Sequence, residues 1–181
     1  MQFAHEDVLH FWFDELSPQQ HFVQDDAVDA RIRERFAATW EAGRQCELSA
    51  WRASPDGRLA EIIVLDQFSR NLHRGSPLAF AQDATALALA QELVAGQHDR
   101  ALPPKRRAFA YMPYMHSESL AIHEQAMVLF DQPGLENNLN FEVQHRDIIA
   151  RFGRYPHRNA VLGRTSTPEE IAFLQQPGSS F

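Results

Sequence analysis

The run Leu59-Ala60-Glu61-Ile62-Ile63-Val64-Leu65, with Asp66 directly after it, leaves this chain the least freedom. So many consecutive apolar residues need cover on nearly every side. Ile62–Leu65 alone could form a short strand, because a brief apolar run has no diagnostic period. The flanks decide for a helix. Ser54-Pro55 places an N-cap residue and a proline at the first helical position ahead of the run. The spacing predicts a central helix buried on most sides.

The same punctuation recurs along the chain. Val8, Leu9, Trp12, Phe13 and Leu16 share one helical face, and Ser17-Pro18 ends that segment. Val28, Ile32, Phe36 and Trp40 repeat every fourth residue behind Asp25 and Asp26, with Gly43 beyond. Ser76-Pro77 predicts the start of an Ala/Leu-rich helix ending at Gly96, and Pro103-Pro104 that of a helix through Tyr111. Tyr111–His116 reads as a proline-broken connection, and Ser117 as the cap of a helix to Phe130. A further helix spans about Asn138 to Phe152, with Gly153 as its C′ residue. Thr167-Pro168-Glu169-Glu170 is a capping box with proline at N1, so a last short helix comes next. The tail from Gln175 to Phe181 reads as loose. No alternating strand, linker or fixed-period repeat interrupts this pattern. It predicts one all-α domain over residues 1–181, an antiparallel array with short connections.

Composition narrows the function classes. A 44% hydrophobic and 23% charged sequence is ordinary for a globule. The net charge of −7 disfavours broad binding to nucleic acid or anionic lipid. No stretch reaches the roughly 20 apolar residues of a membrane span. Met1–Asp7 lacks the basic and apolar regions of a secretory leader, and the lone Cys46 fits a reducing compartment. The expected location is the cytoplasm.

Several polar residues stand on apolar faces. Asp66 follows Ile62 by four and Ile63 by three, so it shares the buried side; a carboxylate there must be paired or protonated. Arg70 lies one turn on, the favourable order for an ion pair, and Gln67 with Asn71 forms a second i,i+4 pair. His145 sits between Phe141 and Ile148/Ile149, with Asp147 and Arg151 spaced to pair on another side. Glu124 and Asp83 are similarly placed on apolar stripes. The densest group is Arg151-Phe152-Gly153-Arg154-Tyr155-Pro156-His157-Arg158-Asn159. Arginine forks recognise carboxylate or phosphate, but arginines at a helix end also cap its last carbonyls.

Tested against motifs that carry chemistry, the chain offers little. Glu142-Val143-Gln144-His145 has the Glu-x-x-His spacing of carboxylate-bridged di-metal bundles, but only one copy is present. His116, Glu118, His123 and Glu124 could add ligands, with nothing fixing their geometry. There is no His-Glu-x-x-His, paired Cys-x-x-Cys, phosphate loop or Gly-x-Ser-x-Gly elbow. Ser117, between His116 and Glu118, serves better as a cap than as a nucleophile. Neither a metal nor a cofactor is expected.

The blocks Val8–Phe13, Leu65–Asn71, Phe80–Ala84, Tyr111–Glu118, His145–Asn159 and Leu162–Glu170 resemble the bacterial domain of unknown function 924 family. The resemblance spans nearly the whole chain and implies an all-α fold similar to tetratricopeptide-repeat helical arrays. It implies no reaction. Three residues depart from the family pattern: Ser69 for the usual proline, Tyr155 for phenylalanine and His123 for glutamine. The last makes His123 a poor candidate for a shared ligand role. The family pattern coincides with the misplaced polar residues Asp66, Arg70, Asp83, His116, Glu124, His145, Arg154, His157 and Arg158.

Three functions stand as expectations. In the first, the helices form a binding module. Arg70, Arg154 and Arg158 clamp the carboxylate or phosphate of a small molecule or peptide, His145, His157 and Asn159 orient it, and Asp66 holds Arg70. In the second, Asp66, Glu124 and His145 or His157 converge for acid–base chemistry, with or without a metal. In the third, the polar cluster is a buried lock in a scaffold for protein partners.

Overall fold

The computed structural model describes residues 4–180. Met1–Phe3, on which part of the leader expectation rests, and Phe181 of the tail lie outside them. The described residues form helices and turns, with no strand. None of their helices is long and apolar enough to cross a membrane.

Helix α1 (His5–His10) runs straight into a π-helical turn, Phe11–Glu15. Helix α2 (Asp26–Arg44) starts where predicted, since the Asp25 carboxylate accepts from the Ala27 and Val28 amides. It continues through Gly43 instead of ending before it. Helix α3 (Pro55–Ile63) is capped by Ser54 Oγ, which accepts from Gly57 N at 3.0 Å. A second π-helical turn comes next (Val64–Phe68) and leads into α4 (Ser69–Leu72). This rod is the centre of the molecule: Leu59, Ala60, Ile62, Ile63, Val64 and Leu65 are all fully buried. It packs against α1, α2, α5 (Asp83–Ala95) and α6 (Pro104–Met115). Then α6 packs on α7 (Leu120–Phe130), and α7 on α8 (Glu136–Phe152).

Several boundaries differ from the sequence expectation. Ser76-Pro77 opens only a 3₁₀ turn, Pro77–Ala79; the α-helix begins at Asp83. Helix α6 runs through Pro113 to Met115, so Tyr111–His116 is not a broken connection. Pro113 lies near the C-terminal end, where its missing amide removes a single late ladder bond. Ser117 Oγ accepts from Ser119 N, and α7 starts after Ser119. Gly153 ends α8 in the left-handed region at φ 68°, which favours glycine. The final helix, α9 (Pro168–Phe173), has the expected capping box, with Thr167 Oγ1 accepting from Glu170 N and Glu170 accepting from Thr167 N. The tail beyond it is less loose than expected, because Ser179 is buried and donates to Leu174 O.

The main core joins α1 to α7. A smaller apolar cluster, Ile148, Ile149 and Tyr155 with Phe152 and Phe173, ties α9 to the end of α8. Between the two lies a layer of charge.

Candidate functional site

Asp66 occupies the π-helical turn of the central rod, fully buried. A π turn carries one residue more per turn than an α-helix, so it re-aims the side chains within it. The Asp66 carboxylate accepts from His116 Nδ1 at 2.7 Å, from Arg70 Nη1 at 3.2 Å and from Gln67. Burial raises its pKa, but His116 and Arg70 outweigh that and bring it down to about 2. Asp66 is therefore ionised. Because an ionised carboxylate only accepts, His116 Nδ1 must carry the hydrogen.

Arg70 also forms a two-pronged pair with Asp83, at 2.9 and 3.0 Å, and donates to Asp66 O. Asp83 opens α5, and one of its oxygens takes a further bond from Arg158 Nη1 at 3.2 Å. Arg158 Nη2 donates to His116 O at 3.0 Å. Both guanidinium groups lie over the Phe80 ring, Arg158 at 4.6 Å and Arg70 at 5.5 Å from its centroid. Arg158 also stacks on Tyr155 at 4.7 Å. Burial and the neighbouring Arg70 lower the Arg158 pKa, and its buried Nε has no hydrogen-bond partner. Two cations thus share one carboxylate at the edge of the fold, where Arg70, Asp83 and His116 keep 20%, 19% and 17% of their side-chain surface.

The other arginines of the C-terminal cluster do different work. Arg154 grips Glu170 at 2.7 and 2.9 Å, and Asn159 Nδ2 reaches the same carboxylate at 3.3 Å. Arg164 donates to Asn159 Oδ1 and pairs with Glu118 at 2.7 and 2.9 Å. Glu118 in turn accepts from Tyr155 N. These contacts hold the segment after α8 and the start of α9 against the α6–α7 connection. The arginine bond draws Glu170 down to about 2.

Tyr155 is the hub of the layer. The rings of His123, His145 and His157 lie around it at 6.2, 5.7 and 5.6 Å. Burial sends the Tyr155 pKa upward and lowers those of His145, to about 3, and His157, to about 4. His145 Nδ1 donates to Phe141 O within its own helix. His123 Nδ1 lies 2.6 Å from Glu142 in the dry interior, where burial raises the Glu142 pKa.

Of the seven residues singled out from sequence, the structure brings Asp66, Arg70 and Arg158 together, joined by His116 and Asp83. Arg154 shares no hydrogen-bond partner with Arg70 or Arg158, so the expected three-arginine clamp is divided. Asn159 stands with Arg154, while His145 and His157 flank Tyr155. Other expectations are corrected. Glu124 is exposed, not on a buried stripe. Gln67 bonds Asp66 and Asn71 bonds Asp29, in place of each other. Asp147 pairs with Arg146, and Arg151 with Glu169. Glu142 and His145, the Glu-x-x-His pair, turn to different partners, and the described residues contain no group of three or more potential ligands able to hold a metal. Sequence reasoning missed Glu118, Arg164 and Glu170 as an anchor. Their only signal is their place in the family-like blocks, since Glu118 and Arg164 lie 46 residues apart.

Among solved structures, the chain is similar to a protein of unknown function, ATU0120, from Agrobacterium tumefaciens. The two are 37% identical with a TM-score of 0.89, over 94% of this chain and 96% of that one. No curated protein matches. The model of a family of bacterial proteins of unknown function, DUF924, matches residues 8–178, and the chain belongs to that family.

Proposed function

We propose that this chain is a helical binding module that recognises an anionic group, the carboxylate or phosphate of a small molecule or peptide. The recognition face is the edge formed by Arg70, Arg158 and His116. One observation supports the reading above all: two guanidinium groups lie on one aromatic ring and share the single carboxylate of Asp83. Arg70 has Asp66 as a second counter-charge, whereas Asp83 is the carboxylate that Arg158 bonds. An incoming anion relieves the repulsion between the two cations. Asp66 keeps Arg70 in place from beneath, and Arg154 and Asn159 keep the Arg158 segment docked through Glu170.

The test is a thermal-shift series with inorganic phosphate, pyrophosphate and succinate. A ligand at a hundred times its Kd adds about 2.7 kcal/mol, which for a domain of this size raises Tm by roughly 5–10 °C. The rise is expected in the wild type and absent in Arg158→Gln. Flat curves for all three anions in a folded wild type defeat the reading. In that case, a large loss of Tm in Arg158→Gln assigns the cluster to stability alone.

A further inference from the structure

The Asp66–His116 pair has a geometry that anion recognition does not require. A buried carboxylate holds the Nδ1 hydrogen of the imidazole, which fixes both tautomer and ring orientation. The opposite nitrogen, Nε2, makes no hydrogen bond among the described residues and is not a buried atom lacking a partner. His116 keeps 17% of its side-chain surface exposed. We infer that His116 is a general base, positioned by Asp66, in a site that hydrolyses a small anionic ester. This rests on the binding reading above for the seat of the substrate's charge.

The step balances without an external reagent. A water molecule gives a proton to His116 Nε2 as its oxygen bonds to the acyl carbon or phosphorus of the ester. The ester C–O or P–O bond breaks, and the leaving oxygen takes that proton back. The imidazolium formed in between is stabilised by the Asp66 carboxylate. Arg70 and Arg158 hold the anionic group. The surroundings keep His116 ready as a base: burial and then Arg70 lower its pKa, opposed by Asp66 and Asp83. The groups facing it are Asp66 and Arg70 from the central rod, Asp83 from α5, Arg158 and His157 from the C-terminal segment, and His145 from α8.

The experiment compares p-nitrophenyl phosphate, p-nitrophenyl hemisuccinate and the neutral p-nitrophenyl acetate, alongside the phosphate thermal shift. The expected result is turnover of one anionic ester that falls about 100-fold or more in His116→Gln. Asp66→Asn should also lose activity and change the pH profile. Which anionic ester turns over distinguishes phosphoryl from acyl chemistry. No turnover above His116→Gln, with the phosphate rise intact, overturns the base and leaves anion binding standing. His116-dependent hydrolysis of the acetate without any phosphate rise keeps the base and overturns the anion seat. Nitrogen-15 NMR of the wild type needs no variant: a neutral ring protonated at Nε2 instead of Nδ1 at pH 7 overturns the inference.

Discussion

Asp66 is the residue on which the charged layer turns. Removing its carboxylate leaves Arg70 and His116 without a buried counter-charge. Asp66→Ala should therefore cost about 3–5 kcal/mol in urea denaturation at pH 7. The dependence on pH has a definite sign. Its folded pKa is about 2, below the usual 3.8, so its contribution is complete above pH 4 and fades as pH falls toward 2. A second test concerns Tyr155 and His123, two positions at which the chain departs from the family pattern. In the fold they meet, with Tyr155 Oη 3.3 Å from His123 Nε2. A double-mutant cycle of Tyr155→Phe and His123→Gln should show a coupling of about 0.5–1.5 kcal/mol. Strict additivity would show that the two departures are independent.

Among the helices, the starts of α3 and α9 are the most sharply specified. A Cβ on Gly57 would lie 2.0 Å from the Trp51 carbonyl oxygen, a backbone atom that cannot swing aside. Gly57→Ala should destabilise by about 2–3 kcal/mol. Gly43→Ala, whose Cβ would meet only side-chain methyls at 3.3 Å, should cost less. Thr167→Ala removes the cap of α9 and should cost about 1 kcal/mol by the same denaturant measurement. These starts are readable in the sequence because a cap and its helix are neighbours in the chain. Ser76-Pro77 misleads because the same dipeptide also opens a 3₁₀ turn, and packing decides whether a full helix grows from it. The i,i+4 pairs Gln67–Asn71 and Asp147–Arg151 fail for a related reason. Asn71 finds Asp29 and Arg151 finds Glu169, better partners on other elements. The site is legible to the same extent. Asp66 and Arg70 lie one turn apart and can be read locally. His116, Asp83 and Arg158 join them only through the packing of α5, α6 and the C-terminal segment.

For the whole molecule, burying this much charge sets how it responds to acid. His145 and His157 stay neutral in the fold, with pKa values of about 3 and 4 against the usual 6.5. The unfolded chain binds protons at these positions as soon as pH drops below 6.5, and the folded one does not, so stability declines from that pH downward. A second decline sets in below about pH 4.5, where Glu170 and Asp66 become protonated in the unfolded chain while still ionised in the fold. Tm measured from pH 7.5 to 3 should fall in these two stages. His157→Gln should reduce the upper stage, leaving the His145 share of it, and spare the lower one. A single decline confined below pH 4.5 would show that the histidines titrate freely in the fold.

The π-helical turn from Val64 to Phe68 has a consequence for the gene. In effect it is an α-helix with one residue inserted. Loss of a single codon there would let the rod close into an unbroken α-helix, and because the turn had absorbed the extra residue, Ser69 and Arg70 beyond it would keep their register. Arg70 would still reach Asp83, and Trp40 would still donate to Ser69. A one-residue deletion, ordinarily disruptive inside a buried helix, would here leave the far end of the rod in place and re-aim only the side chains of the turn, Asp66 among them.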